Sequence, residues 1–229
     1  MAATTRRRDV TTASVTPSDA SPDLERFDRV ERIVHWVTAG LFFTLMFTGA
    51  ALYAGPISAL FGRRELVRAV HVLAGLALPI PLLVGVAGRW GAALRRDLGR
   101  INRWIADDRV WLRRSTRERA RLGKFNPGQK LNATFLGAAI VLMLGTGIVM
   151  KWFGPFPLAW RTGATFVHDW VALGIWIAVV GHILFAFGDN DALASMRRGR
   201  ISARWARAER PRWYEEETQN PTNPPEHPR

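Results

Sequence analysis

The sequence predicts an all-α membrane protein, a bundle of four transmembrane helices with both termini on the cytoplasmic side. Three observations predict it. First, four stretches of the 229-residue chain carry no charged side chain: Ile33–Tyr53, Ala69–Ala87, Leu131–Met150 and Trp170–Gly188. Each approaches the roughly 20 residues that a helix needs to cross a hydrocarbon core of about 30 Å. Four such stretches leave too little polar chain to cover them in water. Second, the basic residues avoid two of the connections. Of 32 Lys and Arg, six lie at or before Arg32, 13 in Arg89–Lys130 and eight after Gly188, against two in Ala54–Glu65 and one in Trp152–Thr165. The positive-inside rule places the crowded segments in the cytoplasm and the sparse ones outside. Third, four of the five histidines lie in or at the mouth of the apolar runs, where an ionisable side chain is costly and marks function.

Along the chain, residues 1–25 are rich in Ala, Thr, Ser, Pro and Asp and read as a disordered N-terminal extension. Arg26–Arg32 is a charged turn feeding the first span, about 33–53. A short outer loop, Ala54–Arg64, leads to the second span, about 68–88, which Pro79 and Pro81 should kink. In the long loop Arg89–Lys130, Leu98, Ile101, Trp104 and Ile105 recur at helical spacing between arginines, the pattern of a short helix lying on the membrane surface or meeting a partner. Asn126–Lys130 reads as a turn before the third span, about 131–151, and Gly154-Pro155-Phe156-Pro157 stops that span. The fourth span runs over about 165–188. The transmembrane unit therefore covers 26–190, and 191–229 reads as a basic cytoplasmic tail carrying Trp205 and Trp213. Trp36, Trp90, Trp152, Trp160 and Trp170 fall near span ends, where indoles prefer the interface. The locations of charge and apolar sequence describe a multi-pass protein of a bacterial inner membrane. The net charge of +13 suits anionic lipid headgroups rather than nucleic acid.

Topology then pairs the histidines by depth. His35 begins a span that runs outward and lies near the cytoplasmic face. His71 begins a span that runs inward and lies near the outer face. The last span, also inward, carries His168 at its outer end and His182 toward its inner end. Only His35 with His182, and His71 with His168, use all four. His168 and His182 are 14 residues apart, about 21 Å of helix rise with only about 40° of rotation between them, so one helix can present both to the bundle interior. Two bis-histidine metal centres stacked across the membrane follow. With no cysteine in the chain, disulfides, covalent c-type haem and cysteine-ligated iron–sulfur clusters are excluded, and the natural occupants are two b-type haems, with the four histidines as axial iron ligands. Single histidines could instead be interfacial, capping, packing or proton-relay groups. Zinc is the weaker competitor, since its tetrahedral sites draw more than two ligands from the protein.

The motifs Arg32-Ile-Val-His35-Trp36, Val70-His71-Val-Leu-Ala-Gly75, Lys124-Phe-Asn-Pro-Gly-Gln-Lys130, Gly145-Thr-Gly147, Val167-His168, His182-Ile-Leu-Phe-Ala-Phe187 and Arg204-Trp205-Ala-Arg-Ala-Glu-Arg-Pro211-Arg-Trp213-Tyr214 together resemble the cytochrome b (gamma) subunit of membrane-bound formate dehydrogenases, over about residues 26–214. The resemblance implies a di-haem b electron-transfer chain. A molybdenum or tungsten alpha subunit on the periplasmic side oxidises formate, and an iron–sulfur beta subunit, docking on outer loops around Arg63, Arg64 and Trp160, passes the electrons on. They enter at His71/His168 and leave at His35/His182 to a quinone, ubiquinone or menaquinone, on the cytoplasmic side. The resemblance places the quinone pocket by Asn126, Gly128, Gln129 and Lys130, near His182. Catalysis of formate oxidation would lie in a partner, not here. Pro127 departs from the family pattern and removes one backbone donor from that turn. An equivalent subunit of a nickel–iron hydrogenase or another respiratory oxidoreductase, and a haem-free membrane anchor, are the competing readings.

Overall fold

The structure is a computed structural model and describes residues 23–54 and 62–219; the N-terminal extension expected over 1–25 and the end of the C-terminal tail lie almost wholly outside them. Among the described residues it is mostly helical, and four helical segments are long and apolar enough to cross a membrane: Arg29–Tyr53, Arg64–Ala87, Pro127–Lys151 and Leu158–Phe187. Only 11 to 17 % of the residues in their most apolar stretches are buried inside the protein. Phe47, Leu73, Val141, Ile177 and Phe185 are among the large apolar side chains left facing outward, a surface that requires hydrocarbon around it.

Helix α1 (Arg29–Tyr53) begins earlier than the uncharged run because Asp28 and Glu31 form a reciprocal cap. The Glu31 amide donates to Asp28 Oδ1 at 2.7 Å and the Asp28 amide to Glu31 Oε2 at 2.8 Å, satisfying two of the donors a helix start leaves open. The charged turn expected over 26–32 is thus largely the first turn of the helix. The second crossing is broken, as its prolines require. Helix α2 (Arg64–Ala77) stops, Leu78-Pro79 bends the chain, and α3 (Ile80–Ala87) continues it. Gly91 follows at a close approach: a Cβ there would stand 1.8 Å from the Gly85 carbonyl oxygen, so no other residue fits without moving the backbone.

The amphipathic loop segment forms α4 (Ala92–Asn102), with Leu94 and Asp97 buried against the bundle. It ends before Trp104 and Ile105, two of the four residues that spacing placed on it. The reason is tertiary. Lys130 Nζ donates to the Arg103 carbonyl at 2.8 Å and the Ile105 amide donates to the Asp108 carboxylate at 2.9 Å, so the backbone there is satisfied without helix. Helix α5 (Ala106–Leu112) and a 3₁₀ turn (Arg114–Arg119) follow. Helix α6 (Pro127–Lys151) starts inside the expected turn. Asn126 and Gln129 cap it reciprocally, at 2.8 Å and 3.0 Å, and Pro127 sits in the first turn, where its missing N–H costs nothing. Helix α7 (Leu158–Phe187) also starts seven residues before the expected span. Its 30 residues extend about 45 Å, longer than a hydrocarbon core.

Over its described residues, 190–219, the basic C-terminal segment is mostly helical. Helices α8 (Asn190–Arg198), α9 (Ala203–Glu209) and α10 (Pro211–Gln219) fold against the chain's beginning and the loop before α6. Strand β1 (Leu24–Glu25) pairs antiparallel with β2 (Arg200–Ile201). The Arg26 and Phe27 amides both reach the Gly199 carbonyl, at 2.8 and 3.1 Å, and the Arg212 amide reaches the Leu122 carbonyl at 3.2 Å. Trp213, Ala206 and Ile201 form a small second core. Ion pairs Arg121–Glu215 and Arg100–Glu217 join α10 to the loop. Residues 24–27 and 199–201 therefore meet at one end of the bundle, the end the sequence-based topology calls inner.

The main core lies halfway along the bundle. Phe42 of α1, Leu78 at the kink, Ala139 of α6 and Ile175 of α7 pack together. Phe42, Leu78 and Ile175 each stand seven positions from a histidine of their own crossing, Ile175 from two. An apolar floor thus separates two levels, each about 10 Å away along the helices.

Candidate functional site

The four transmembrane histidines form two pairs. His71 on α2 and His168 on α7 face each other with ring centroids 6.4 Å apart and ring planes at 62°. His35 on α1 and His182 on α7 stand 6.1 Å apart at 61°. His168 and His182 are carried by one unbroken helix. The pairing that depth alone allowed is the pairing present.

The spacing fits a metal ion shared by each pair. Two imidazoles sharing a metal through nitrogen–metal bonds of about 2 Å, each nitrogen about 1 Å from its ring centre, place their centroids about 6 Å apart. Among the described residues no group of three or more His, Cys, Asp or Glu converges as a metal cage. Two facing imidazoles with no third protein ligand would suit an ion whose remaining ligands come from a macrocycle, the donor set of a bis-histidine b haem.

Two details at the His71/His168 level were not read from the sequence. Thr48 Oγ1 lies 2.9 Å from His71 Nδ1, and Thr146 Oγ1 lies 2.9 Å from His168 Nδ1. Each threonine is followed by a glycine set against the same ring: a Cβ at Gly49 would lie 3.3 Å from His71 Cε1, and one at Gly147 3.6 Å from His168 Cε1. The same Thr-Gly pair on the first helix of each hairpin, facing a histidine on the second, is visible in the sequence once the hairpins are aligned. Among the described residues the rings of His35 and His182 have no such hydrogen bond; His35 instead lies edge-on to Trp36 at 5.2 Å.

At the inner end the polar turn resolves into separate tasks. The Asn126 and Gln129 side-chain oxygens are used in the helix cap, which leaves their NH₂ groups as donors. Gly128 lies under Trp111, whose ring would be 3.3 Å from a Cβ. Lys130 is buried and bound, with Nζ 2.7 Å from Asp108 Oδ2 as well as on the Arg103 carbonyl. Beside this turn Lys124 sits between the carboxylates of Glu31 and Asp97, all three at most 7 % exposed, and Arg100 links Asp97 to Glu217. Arg26, also buried, stacks on Trp205 at 4.6 Å. Burial, reinforced by the nearby Arg210 cation, pushes its guanidinium down to about 10, so it stays charged at neutral pH. Sequence reasoning did not identify the partners Lys130–Asp108, Lys124–Glu31, Arg100–Glu217 or Arg26–Trp205, because each joins residues far apart in the chain.

Comparison with known proteins bears out the motif-based resemblance. The chain is 28 % identical over 194 residues to the formate dehydrogenase cytochrome b556 subunit of Haemophilus influenzae, covering 81 % of this chain and 80 % of that one. It is 24 % identical over 195 residues to the nitrate-inducible formate dehydrogenase cytochrome b556 subunit of Escherichia coli, covering 82 % and 88 %. A second E. coli formate dehydrogenase cytochrome b556 subunit is 27 % identical over 204 residues, covering 83 % and 92 %. Residues 26–199, the stretch that runs from the buried Arg26 through both histidine pairs to the turn at Gly199, match a single family: this chain is an integral membrane protein of the prokaryotic cytochrome b561 family.

Proposed function

We propose that this chain is the di-haem b electron-transfer subunit of a formate dehydrogenase, carrying electrons from a periplasmic iron–sulfur and formate-oxidising module across the inner membrane to a quinone on the cytoplasmic side. The observation that carries the reading is the two imidazole pairs, 6.1 and 6.4 Å between centroids, held at two levels by one continuous α7. His71 and His168 would hold the outer haem, His35 and His182 the inner. Bound there, a b haem supplies a one-electron ferric/ferrous couple. The chain's own residues do the rest. The histidines fix the two levels, the Phe42–Leu78–Ala139–Ile175 floor keeps water out between them, and the helices' apolar flanks hold the assembly in lipid. The NH₂ groups of Asn126 and Gln129 are suited to hydrogen-bond a quinone carbonyl. Gly128 keeps that turn close to Trp111, and Lys130 holds the turn in place through Asp108.

Orientation with both termini inside is supported by the basic residues of the inner segments and by the meeting of β1 and β2 at one end of the bundle. The relatives' role in formate dehydrogenases supports the choice of partner complex. The test is haem content of the purified chain by pyridine haemochrome, with a search for co-purifying formate-oxidising subunits. About two b haems per polypeptide is the expected result. No haem in a folded chain made with ample haem would overturn it in favour of a membrane anchor.

A further inference from the structure

Each of the two threonine hydroxyls has one proton, and the structure commits it. Thr48 Oγ1 donates to the Thr44 carbonyl at 2.6 Å, and Thr146 Oγ1 donates to the Leu142 carbonyl at 2.8 Å, the back-bond a helical threonine makes to the preceding turn. Toward the imidazole each hydroxyl can then only accept. The nitrogen 2.9 Å away, Nδ1 in both rings, must therefore carry the hydrogen, which leaves the Nε2 lone pair free on both rings. The neighbouring glycines leave the ring edge room to hold this pose. The arrangement is built twice, once from α1 onto α2 and once from α6 onto α7. The inner pair has no equivalent among the described residues.

From this we infer that Thr48 and Thr146 are positioning residues for the outer metal centre: they lock both outer imidazoles in the Nδ1–H tautomer, present Nε2 to the iron, and make these ligands more electron-donating than the inner pair. A hydrogen bond accepted from the far nitrogen of a metal-bound histidine fixes its tautomer and raises its basicity, and a more basic axial ligand favours the ferric state. The outer centre is thereby held at a lower potential than ligation alone would give it, which favours electron transfer from the outer to the inner level. The inference rests on the two-haem reading above.

The test is a redox titration of the purified full-length chain with its haems, wild type against Thr146→Val and Thr146→Ser, with low-spin ferric EPR spectra of each. Valine keeps the shape and removes the acceptor. Serine keeps the acceptor. Thr146→Val should raise the outer midpoint and leave the inner one unchanged. A tenfold change in the ferric/ferrous ratio at fixed potential, the order expected for one lost hydrogen bond, corresponds to about 59 mV for a one-electron couple. The outer EPR g values should move with it, a change in ligand character that altered polarity alone would not produce. Thr146→Ser should restore both. Thr48→Val should raise the same midpoint, since the Thr48 hydroxyl stands at the same 2.9 Å from the His71 ring. Two haems with both midpoints and g values unmoved in Thr146→Val would overturn the inference while leaving the two-haem reading intact. Loss of the outer haem in the valine variant with retention in serine would support it, and loss in both would overturn it. Wild-type protein without haem would instead refute the reading on which it rests.

Discussion

Asp108→Ala should be among the most damaging substitutions outside the membrane-spanning helices. Asp108 is 1 % exposed and Lys130 5 %, and a single carboxylate oxygen serves both the Lys130 ammonium at 2.7 Å and the Ile105 amide at 2.9 Å. Removing the carboxylate strands a buried ammonium and a backbone donor. Breaking a buried ion pair from one side costs about 3–5 kcal/mol; the freed amide adds to this, but the two losses share one site and do not sum. For a chain of this size that cost corresponds to a fall in Tm of roughly 6–20 °C. Lys130→Met should cost less, because the remaining carboxylate keeps the Ile105 amide. Replacing both, Asp108→Leu with Lys130→Met, removes both charges and should recover much of the loss. The assay is thermal unfolding of the purified variants in one detergent, followed by circular dichroism. A Tm for Asp108→Ala within about 4 °C of wild type, or a double variant as unstable as the worse single, would refute the reasoning. The double variant also separates two roles for Lys130. If it folds and still reduces quinone, Lys130 serves only as a clamp. If it folds and quinone turnover alone is lost, the ammonium meets the quinone directly.

Three shorter predictions follow from the same geometry. His71→Ala should remove one of two b haems, seen as halved haem absorbance per polypeptide, while membrane insertion stays normal; two spectroscopically unchanged haems would exclude His71 as a ligand. Asn126→Ala should slow quinone reduction more than it slows haem reduction by the electron donor, measured by stopped-flow absorbance, whereas equal slowing of both would make the turn purely structural. Gly199→Ala should lower the Tm, because Gly199 has φ +86° and a Cβ there would stand 2.7 Å from the Phe27 carbonyl. The left-handed backbone alone costs about 1–2 kcal/mol, and an unchanged melting curve would show that the β1–β2 closure is not needed for the fold.

The residues that were legible in advance share a property. His35, His71, His168 and His182 could be paired from sequence because a membrane orders the chain: each crossing has one direction, each residue has a depth, and depth left a single pairing for all four. The kink at Leu78-Pro79 was equally legible, since proline acts on its own backbone. Where local pattern was misleading, a distant partner had intervened. Spacing carried the loop helix through Trp104 and Ile105, but Lys130 and Asp108 capture the backbone there and end it at Asn102. Asn126–Lys130 looked like a turn because of its Pro and Gly, yet Asn126 and Gln129 cap each other and make it the first turn of α6.

The sequence by itself determined the four apolar crossings and which histidines face each other, because burial in hydrocarbon constrains composition one segment at a time. Only the tertiary structure decided which polar atoms meet. Thr48 reaches His71 and Thr146 reaches His168 through helix pairs, Lys124 sits between Glu31 and Asp97, and Arg26 bonds Ser195 across 169 residues of chain. Hydrogen bonds and ion pairs depend on ångström-scale placement of side chains, and that placement exists only once the helices have packed.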